Sequence, residues 1–311
     1  MDINYLLFLQ HIREVTHGAF DTFFIGISAL GRTIAPILVI SGIFWCINKK
    51  IGRYLLLGFS TAKLANIFIK ITACVYRPWI QDPRIHPIKG ATATATGYSF
   101  PSGHTTNAMT YLGGVAYLNS CGKALRITCI GLVLLVMFSR NFLGVHTPQD
   151  VLVAFLGTAI ILWAIYHVNE RASQTTKYDK LILLSGILIS IGLYLYATWK
   201  NYPLDYDSAR QLISTHPSNI KEAYKTAGLS GGIFIGWFVE KSWINFTCEG
   251  SWQKRVLRYI LCTFGLFVYL DILYPIIKNS IAWNMGLTIA CFLEGIYITV
   301  IAPLSIKYLL K

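Results

Sequence analysis

Between Val151 and Val168 the chain carries no Lys, Arg, Asp or Glu. A run this long and this apolar leaves few folding options, and the main one is a helix that crosses a bilayer. Comparable runs recur along most of the sequence. Of its 311 residues, 54% are hydrophobic and only 13% charged, with a mean hydropathy of +0.53. The reading is an all-α, polytopic helical membrane protein.

Nine segments qualify as spans, near residues 33–48, 52–76, 102–119, 125–141, 148–168, 179–199, 222–240, 255–277 and 281–306. Residues 20–31 are also apolar, but Gly31-Arg32 separates them from the first span. No cleavable signal peptide is expected, because Asp2, His11, Arg13 and Glu14 interrupt the opening stretch. That stretch places Tyr5, Phe8, Leu9, Ile12 and Val15 at helical spacing, which suits an interfacial helix or an ordinary surface helix.

The formal net charge is +13, but the basic residues sit in short loops and form no basic domain, so nucleic acid is not an expected partner. Alternate loops collect Lys49, Lys50, Arg53, Lys123, Arg126, Arg171, Lys177, Lys180, Lys241, Lys254, Arg255, Arg258, Lys307 and Lys311. By the positive-inside bias these face the cytoplasm. The opposite loops then face outward, as expected of a plasma (cytoplasmic) membrane protein. Seven cysteines, at 46, 74, 121, 129, 248, 262 and 291, show neither a disulfide framework nor metal-ligand spacing. No metal and no cofactor is expected.

Three polar clusters interrupt the apolar pattern, and all fall on the outward side. Lys70 and Arg77 stand seven apart, a spacing that places them on one helix face, with Pro78 predicted to end that helix at Arg77. In Tyr98-Ser-Phe-Pro-Ser-Gly-His104, Pro101 suits the first position of a helix. The N–H groups of Ser102, Gly103 and His104 would then be unpaired in its first turn, an anion cradle. Ser139-Arg140 and His146-Thr-Pro-Gln-Asp150 occupy the junction of two apolar segments. Asp150 stands three after Thr147, which is also a capping arrangement.

Together these motifs, Lys-x6-Arg-Pro, Pro-Ser-Gly-His and Ser-Arg-x5-His, resemble those of the type 2 phosphatidic acid phosphatase family. Its wider superfamily includes lipid phosphate phosphatases, glucose-6-phosphatase and vanadium haloperoxidases. The resemblance covers residues 70–150. It implies that His146 is the nucleophile and forms a phosphohistidine, that His104 protonates the leaving oxygen, and that Asp150 orients His146. It also implies that Lys70, Arg77, Ser102, Gly103 and Arg140 bind phosphate. Positioning plus charge stabilisation is most of what phosphoryl transfer requires, and fixed cations can supply it.

The expected activity is therefore a metal-independent membrane phosphatase acting on a lipid phosphate or lipid diphosphate, with membrane lipids around it. The alternatives are a sugar-phosphate phosphatase, a lipid-to-acceptor phosphotransferase, and a phosphate-binding transporter or scaffold. The two histidines argue against the last, because binding needs neither an acid nor a nucleophile. The chain divides into a phosphatase core, 1–172, and a C-terminal transmembrane extension, 173–311, which does not indicate an oligomeric state. The loop from Trp79 to Phe100 reads as a rim over the site or as a passive connector, and the loop 199–221, with Asp205, Asp207, Arg210 and His216, as a solvated face. Two buried charges, Lys63 and Glu294, are depth-matched and predicted to pair, the alternative being a lining for substrate passage.

Overall fold

The computed structural model describes residues 2–205 and 216–309, and every regular element among them is helical. The first eight helices are α1 (Asp2–Val15), α2 (Asp21–Ala29), α3 (Ile34–Gly42), α4 (Lys49–Ala73), α5 (Pro78–Gln81), α6 (Lys89–Thr92), α7 (Gly103–Ala108) and α8 (Gly114–Tyr117). They are followed by α9 (Lys123–Phe142), α10 (Pro148–Gln174), α11 (Asp179–Trp199), α12 (His216–Val239), α13 (Trp252–Val268), α14 (Tyr274–Ser280), α15 (Trp283–Ile296) and α16 (Ala302–Tyr308). A π-turn, Met109–Gly113, joins α7 to α8.

Six helical stretches among the described residues are long and apolar enough to cross a membrane: Lys49–Gln81, Lys123–Phe142, Pro148–Gln174, Asp179–Trp199, Trp252–Ser280 and Trp283–Tyr308. A seventh is the pair Asp21–Ala29 and Ile34–Ile47, bent by 48°, if it is counted as one broken span. The protein is thus a multi-pass membrane protein, with fewer complete spans than the nine segments expected. The segment near 33–48 is only half of the bent pair. The segment near 102–119 is a short helical run from Gly103 to Tyr117 that opens on His104, Thr105, Thr106 and Asn107. The segment near 222–240 lies in α12, whose early turns hold Lys221, Glu222 and Lys225.

The chain forms two compact units that alternate along the sequence. One comprises Met1–Pro36, Ala65–Leu162 and Lys200–Ile220, and the other Ile37–Leu64, Trp163–Trp199 and Lys221–Lys311. In the first unit α9 packs against α1, α2 and α7. The Phe24 ring lies 5.3 Å from Phe138 and 4.3 Å from Phe142, which sets α2 along the last turns of α9. Ala91, Ala95, Leu143 and Val145 form a small core with Phe24, Ile25, Trp79 and Ile88 packed on it. That core seats the 79–100 loop. From α1, Gln10 Nε2 donates to Arg84 O (3.3 Å), Gln10 Oε1 accepts from His86 N (2.8 Å), and Arg13 Nη2 donates to His86 O (2.9 Å). On α1 itself, Leu6, Leu9 and Arg13 are buried while Phe8 and Val15 stay exposed.

In the second unit α12 and α15 approach at backbone distance. A Cβ added at Gly228 would lie 2.1 Å from Thr288 O, and one at Gly232 would lie 2.1 Å from Phe292 O, so only glycine permits this packing. Three carboxylates in this unit, the buried Glu240 and Asp179 and the half-buried Glu222, take basic partners. Glu240 pairs with Arg53 (2.6 Å) and Lys49 (3.3 Å), Asp179 with Lys241 (2.6 Å), and Glu222 with Lys225 (3.0 Å). No ion pair joins Lys63 to Glu294 among the described residues. The charges that act on each come from α12 instead: Glu222 and Lys225 act on Lys63, and Lys225 acts on Glu294. Of the outer-loop residues, Asp207 and Arg210 lie outside the described residues, as does the side chain of His216. All seven cysteines are free thiols.

Candidate active site

The first cluster is built differently from its spacing. Helix α4 stops at Ala73, before Arg77, because Cys74 takes a left-handed backbone conformation (φ 51°) that ends a helix. Pro78 does not terminate α4 but starts α5, with Arg77 extended ahead of it (φ −67°, ψ 152°). Lys70 and Arg77 therefore share no helix face, yet both reach the same turns. Lys70 Nζ donates to the carbonyls of Tyr98 (2.9 Å), Ser99 (3.0 Å) and Pro101 (2.6 Å), gathering the turn ahead of α7. Arg77 holds the end of the 79–100 loop, with Nε on Gly97 O (3.0 Å) and Nη2 on Thr96 O (2.9 Å). Its Nη1 donates to Val145 O (3.0 Å) and to His146 Nε2 (2.8 Å).

The second cluster also departs from expectation. Ser102 is the N-cap of α7, so Pro101 precedes the cap and does not occupy the first helical position. The Ser102 N–H is consumed by Asp150 O (2.9 Å), which ties this turn to the start of α10. Ser102 Oγ accepts from Thr105 N (3.4 Å) and Thr105 Oγ1 (3.1 Å). The cradle thus contracts to the first residues of α7. At Gly103 an added Cβ would meet nothing within 4 Å, so an anion can approach this backbone directly. His104 follows, half-buried. Behind it Gly31 packs so closely that a Cβ there would lie 2.7 Å from His104 Cβ.

The third cluster supplies the chemistry. His146 lies in the short connection between α9 and α10, buried, with its backbone carbonyl held by Asn141 Nδ2 (2.8 Å). Asp150 Oδ2 accepts from Ser99 Oγ (2.5 Å), Thr147 N (2.9 Å) and His146 Nδ1 (3.1 Å). Thr147 Oγ1 accepts in return from Asp150 N (3.3 Å), so capping and histidine orientation coexist in one carboxylate. Because a guanidinium only donates, Nε2 of His146 presents its lone pair to Arg77, and the ring proton is on Nδ1, facing Asp150. Burial, then the Arg77 charge, hold His146 well below the ordinary histidine range; Asp150 opposes them and Arg140 adds to them. The imidazole is neutral at neutral pH.

Arg140, near the end of α9, is fully buried. Its Nη1 donates to Ser28 Oγ on α2 (2.6 Å), while Nε and Nη2 have no hydrogen-bond partner among the described residues. Leaving such donors unpaired in a protein interior is costly unless an anion meets them. Against the three cations Lys70, Arg77 and Arg140 the three clusters hold one carboxylate, Asp150, whose Oδ2 already serves three donors. The net local charge is positive, as an oxyanion requires. Among the described residues no group of three or more His, Cys, Asp or Glu side chains is arranged to hold a metal ion. Two contributors have no counterpart in the sequence motifs. Ser28 carries no sequence signal, and Ser99 is marked only by its place two residues before Pro101.

Comparison with known proteins agrees with this architecture. Residues 51–174 match the PAP2 superfamily, and residues 224–309 match the PAP2 superfamily phosphatase transmembrane extension. The chain is similar to phosphatidylglycerophosphatase B of Bacillus subtilis, with 30% identity over 161 residues, 48% of this chain and 75% of that protein. It is similar to mouse (Mus musculus) sphingosine-1-phosphate phosphatase 1 at 27% identity over 181 residues, 55% of this chain and 41% of the relative. It also resembles the undecaprenyl-diphosphatase of Sulfolobus acidocaldarius at 32% identity over 109 residues, 35% of this chain and 50% of the relative. No solved structure matches the chain. The apolar helices and the family matches define a multi-pass membrane phosphatase. The chain belongs to the PAP2 superfamily.

Proposed function

We propose that this phosphatase removes the terminal phosphate of a lipid phosphate or lipid diphosphate, without a metal ion, at the outer membrane-water interface and through a phosphohistidine. The observation that carries this reading is the geometry of His146, whose Nδ1 lies 3.1 Å from Asp150 Oδ2 and whose Nε2 lies 2.8 Å from Arg77 Nη1. The basic loops on the opposite side support the outward orientation. The three relatives are named for different phosphorylated lipids, which supports a lipid substrate while leaving its headgroup open.

In the proposed reaction the phosphate enters over the first turn of α7. Arg77 exchanges its contact with Nε2 for phosphate oxygens, and the Nε and Nη2 donors of Arg140 take two more. Ser102 Oγ and the Gly103 N–H complete the grip, while Lys70 contributes its charge and orders the 98–101 turn. The Nε2 lone pair attacks phosphorus in line with the leaving oxygen. As the P–O bond breaks, that oxygen takes a proton from His104. The imidazolium of the intermediate is stabilised through Nδ1–H by Asp150. Water, deprotonated by His104, then displaces phosphate from Nε2 and restores both histidines.

The test is phosphate release in the presence of chelator from phosphatidate, phosphatidylglycerophosphate, a prenyl diphosphate, sphingosine 1-phosphate and glucose 6-phosphate. Release is expected from the lipids and not from the sugar phosphate. Release from none of the five, with folded protein, overturns the reading. His146→Ala should abolish turnover, and only His104→Ala should retain a trapped phosphoenzyme from an activated substrate.

A further inference from the structure

The turn between α2 and α3 lies outside the residues matched by the family model, yet it is fastened to the candidate active site at every residue from 30 to 33 but one. Asn107 Nδ2, on α7, donates to Gly31 O (2.8 Å) and to Thr33 Oγ1 (3.4 Å). Tyr111 OH donates to Leu30 O (3.1 Å). Gly31 backs onto the His104 main chain, and one turn earlier Ser28 Oγ holds Arg140. The turn is the break in the bent helix pair, and its freed carbonyls are satisfied by side chains from the helix that carries His104. Arg32 is the residue of this turn that the bracing leaves alone. It is exposed, and its charge reaches Arg140.

A cation here is not explained by the reaction at the scissile phosphate, which already has Lys70, Arg77 and Arg140. Placing a further positive charge near Arg140 is unfavourable unless a further negative charge arrives with the substrate. We propose that Arg32 is a specificity-determining residue that binds a second phosphoryl group of the substrate, beside the one being cleaved. This rests on the phosphatase reading above. The chemistry recognised is a phosphoryl oxyanion a few bonds from the scissile phosphorus. Two lipid classes carry one: a prenyl diphosphate in its retained phosphate, and a phosphatidylglycerophosphate in its phosphodiester. Phosphatidate carries none.

The experiment compares wild type with Arg32→Gln and Arg32→Lys on these three substrates. Because Arg32 is exposed and does not brace the turn, Arg32→Gln should fold normally. The expected result is a fall in kcat/KM that is about ten- to a hundredfold larger on one or both doubly phosphorylated substrates than on phosphatidate, carried mainly by KM, with partial rescue by Arg32→Lys. A selective loss on the prenyl diphosphate assigns Arg32 to the retained phosphate, and one on phosphatidylglycerophosphate assigns it to the diester. Equal losses on all three, or none, overturn the proposal. A second measurement needs no turnover: calorimetric binding of inorganic pyrophosphate and orthophosphate. Arg32→Gln should weaken pyrophosphate about tenfold more than orthophosphate, and a ratio equal to that of wild type overturns the proposal even where the lipid assay fails.

Discussion

The candidate site of the first compact unit and the ion-paired clusters of the second hold the same kinds of charged residue and use them in opposite ways. In the second, the Glu240 carboxylate lies between Arg53 and Lys49, and Asp179 and Glu222 each hold a lysine. In the first, Lys70 and Arg77 spend donors on backbone carbonyls, Arg140 keeps two without a partner among the described residues, and the buried carboxylate Asp150 is occupied by Ser99, Thr147 and His146. Paired burial serves structure, because each charge is neutralised within the protein. Unmatched positive burial serves binding, because the missing negative charge must come with the substrate.

Substitutions can break this contrast. The largest effect is expected at His146. His146→Ala should lower kcat/KM by at least about a thousandfold, as loss of the attacking group does, with little change in thermal stability. Next is Arg140→Ala, expected to cost about a hundredfold or more in kcat/KM without lowering the melting temperature in detergent, since it removes an uncompensated charge. Glu240→Gln should show the reverse: destabilisation by about 3–5 kcal/mol, seen as a lower melting temperature, with activity per folded molecule retained. Equal stability losses in these two variants would erase the distinction between the units.

Smaller effects sharpen it. Ser99→Ala removes one donor from Asp150 and should reduce kcat about tenfold, with KM nearly constant. The smallest signal is in the pH profile. A proton on His146 removes its lone pair, and the folded site holds that proton less tightly than an ordinary histidine, so the acid limb of kcat/KM should lie below about pH 6.5. Arg77→Gln removes a charge that disfavours the imidazolium and should move that limb upward. Asp150→Asn removes one that favours it and should move the limb downward. Shifts in the opposite directions would contradict the assigned tautomer.

Several of these groups were visible before the structure. The Pro-Ser-Gly-His turn, Arg140, His146 and Asp150 are local motifs, and each converges on the candidate site. Their details were less visible. Spacing alone makes Lys70 and Arg77 neighbours on a helix, but a left-handed Cys74 ends α4 first, and a single residue's backbone choice is weakly encoded in hydropathy. Depth matching pairs Lys63 with Glu294, but depth does not reveal which other charges share the region, and Glu222 and Lys225 of α12 act there instead.

The sequence by itself determined that this is a helical membrane protein with a phosphatase-type set of residues, because apolar run length and motif spacing are one-dimensional properties. Only the tertiary structure decided the partners of the two His146 ring nitrogens, the two Arg140 donors without a partner among the described residues, and the contact of Ser28 on α2 with Arg140. Those features depend on distances between residues far apart in the chain, which packing of α2 and α7 against α9 sets and no local pattern records.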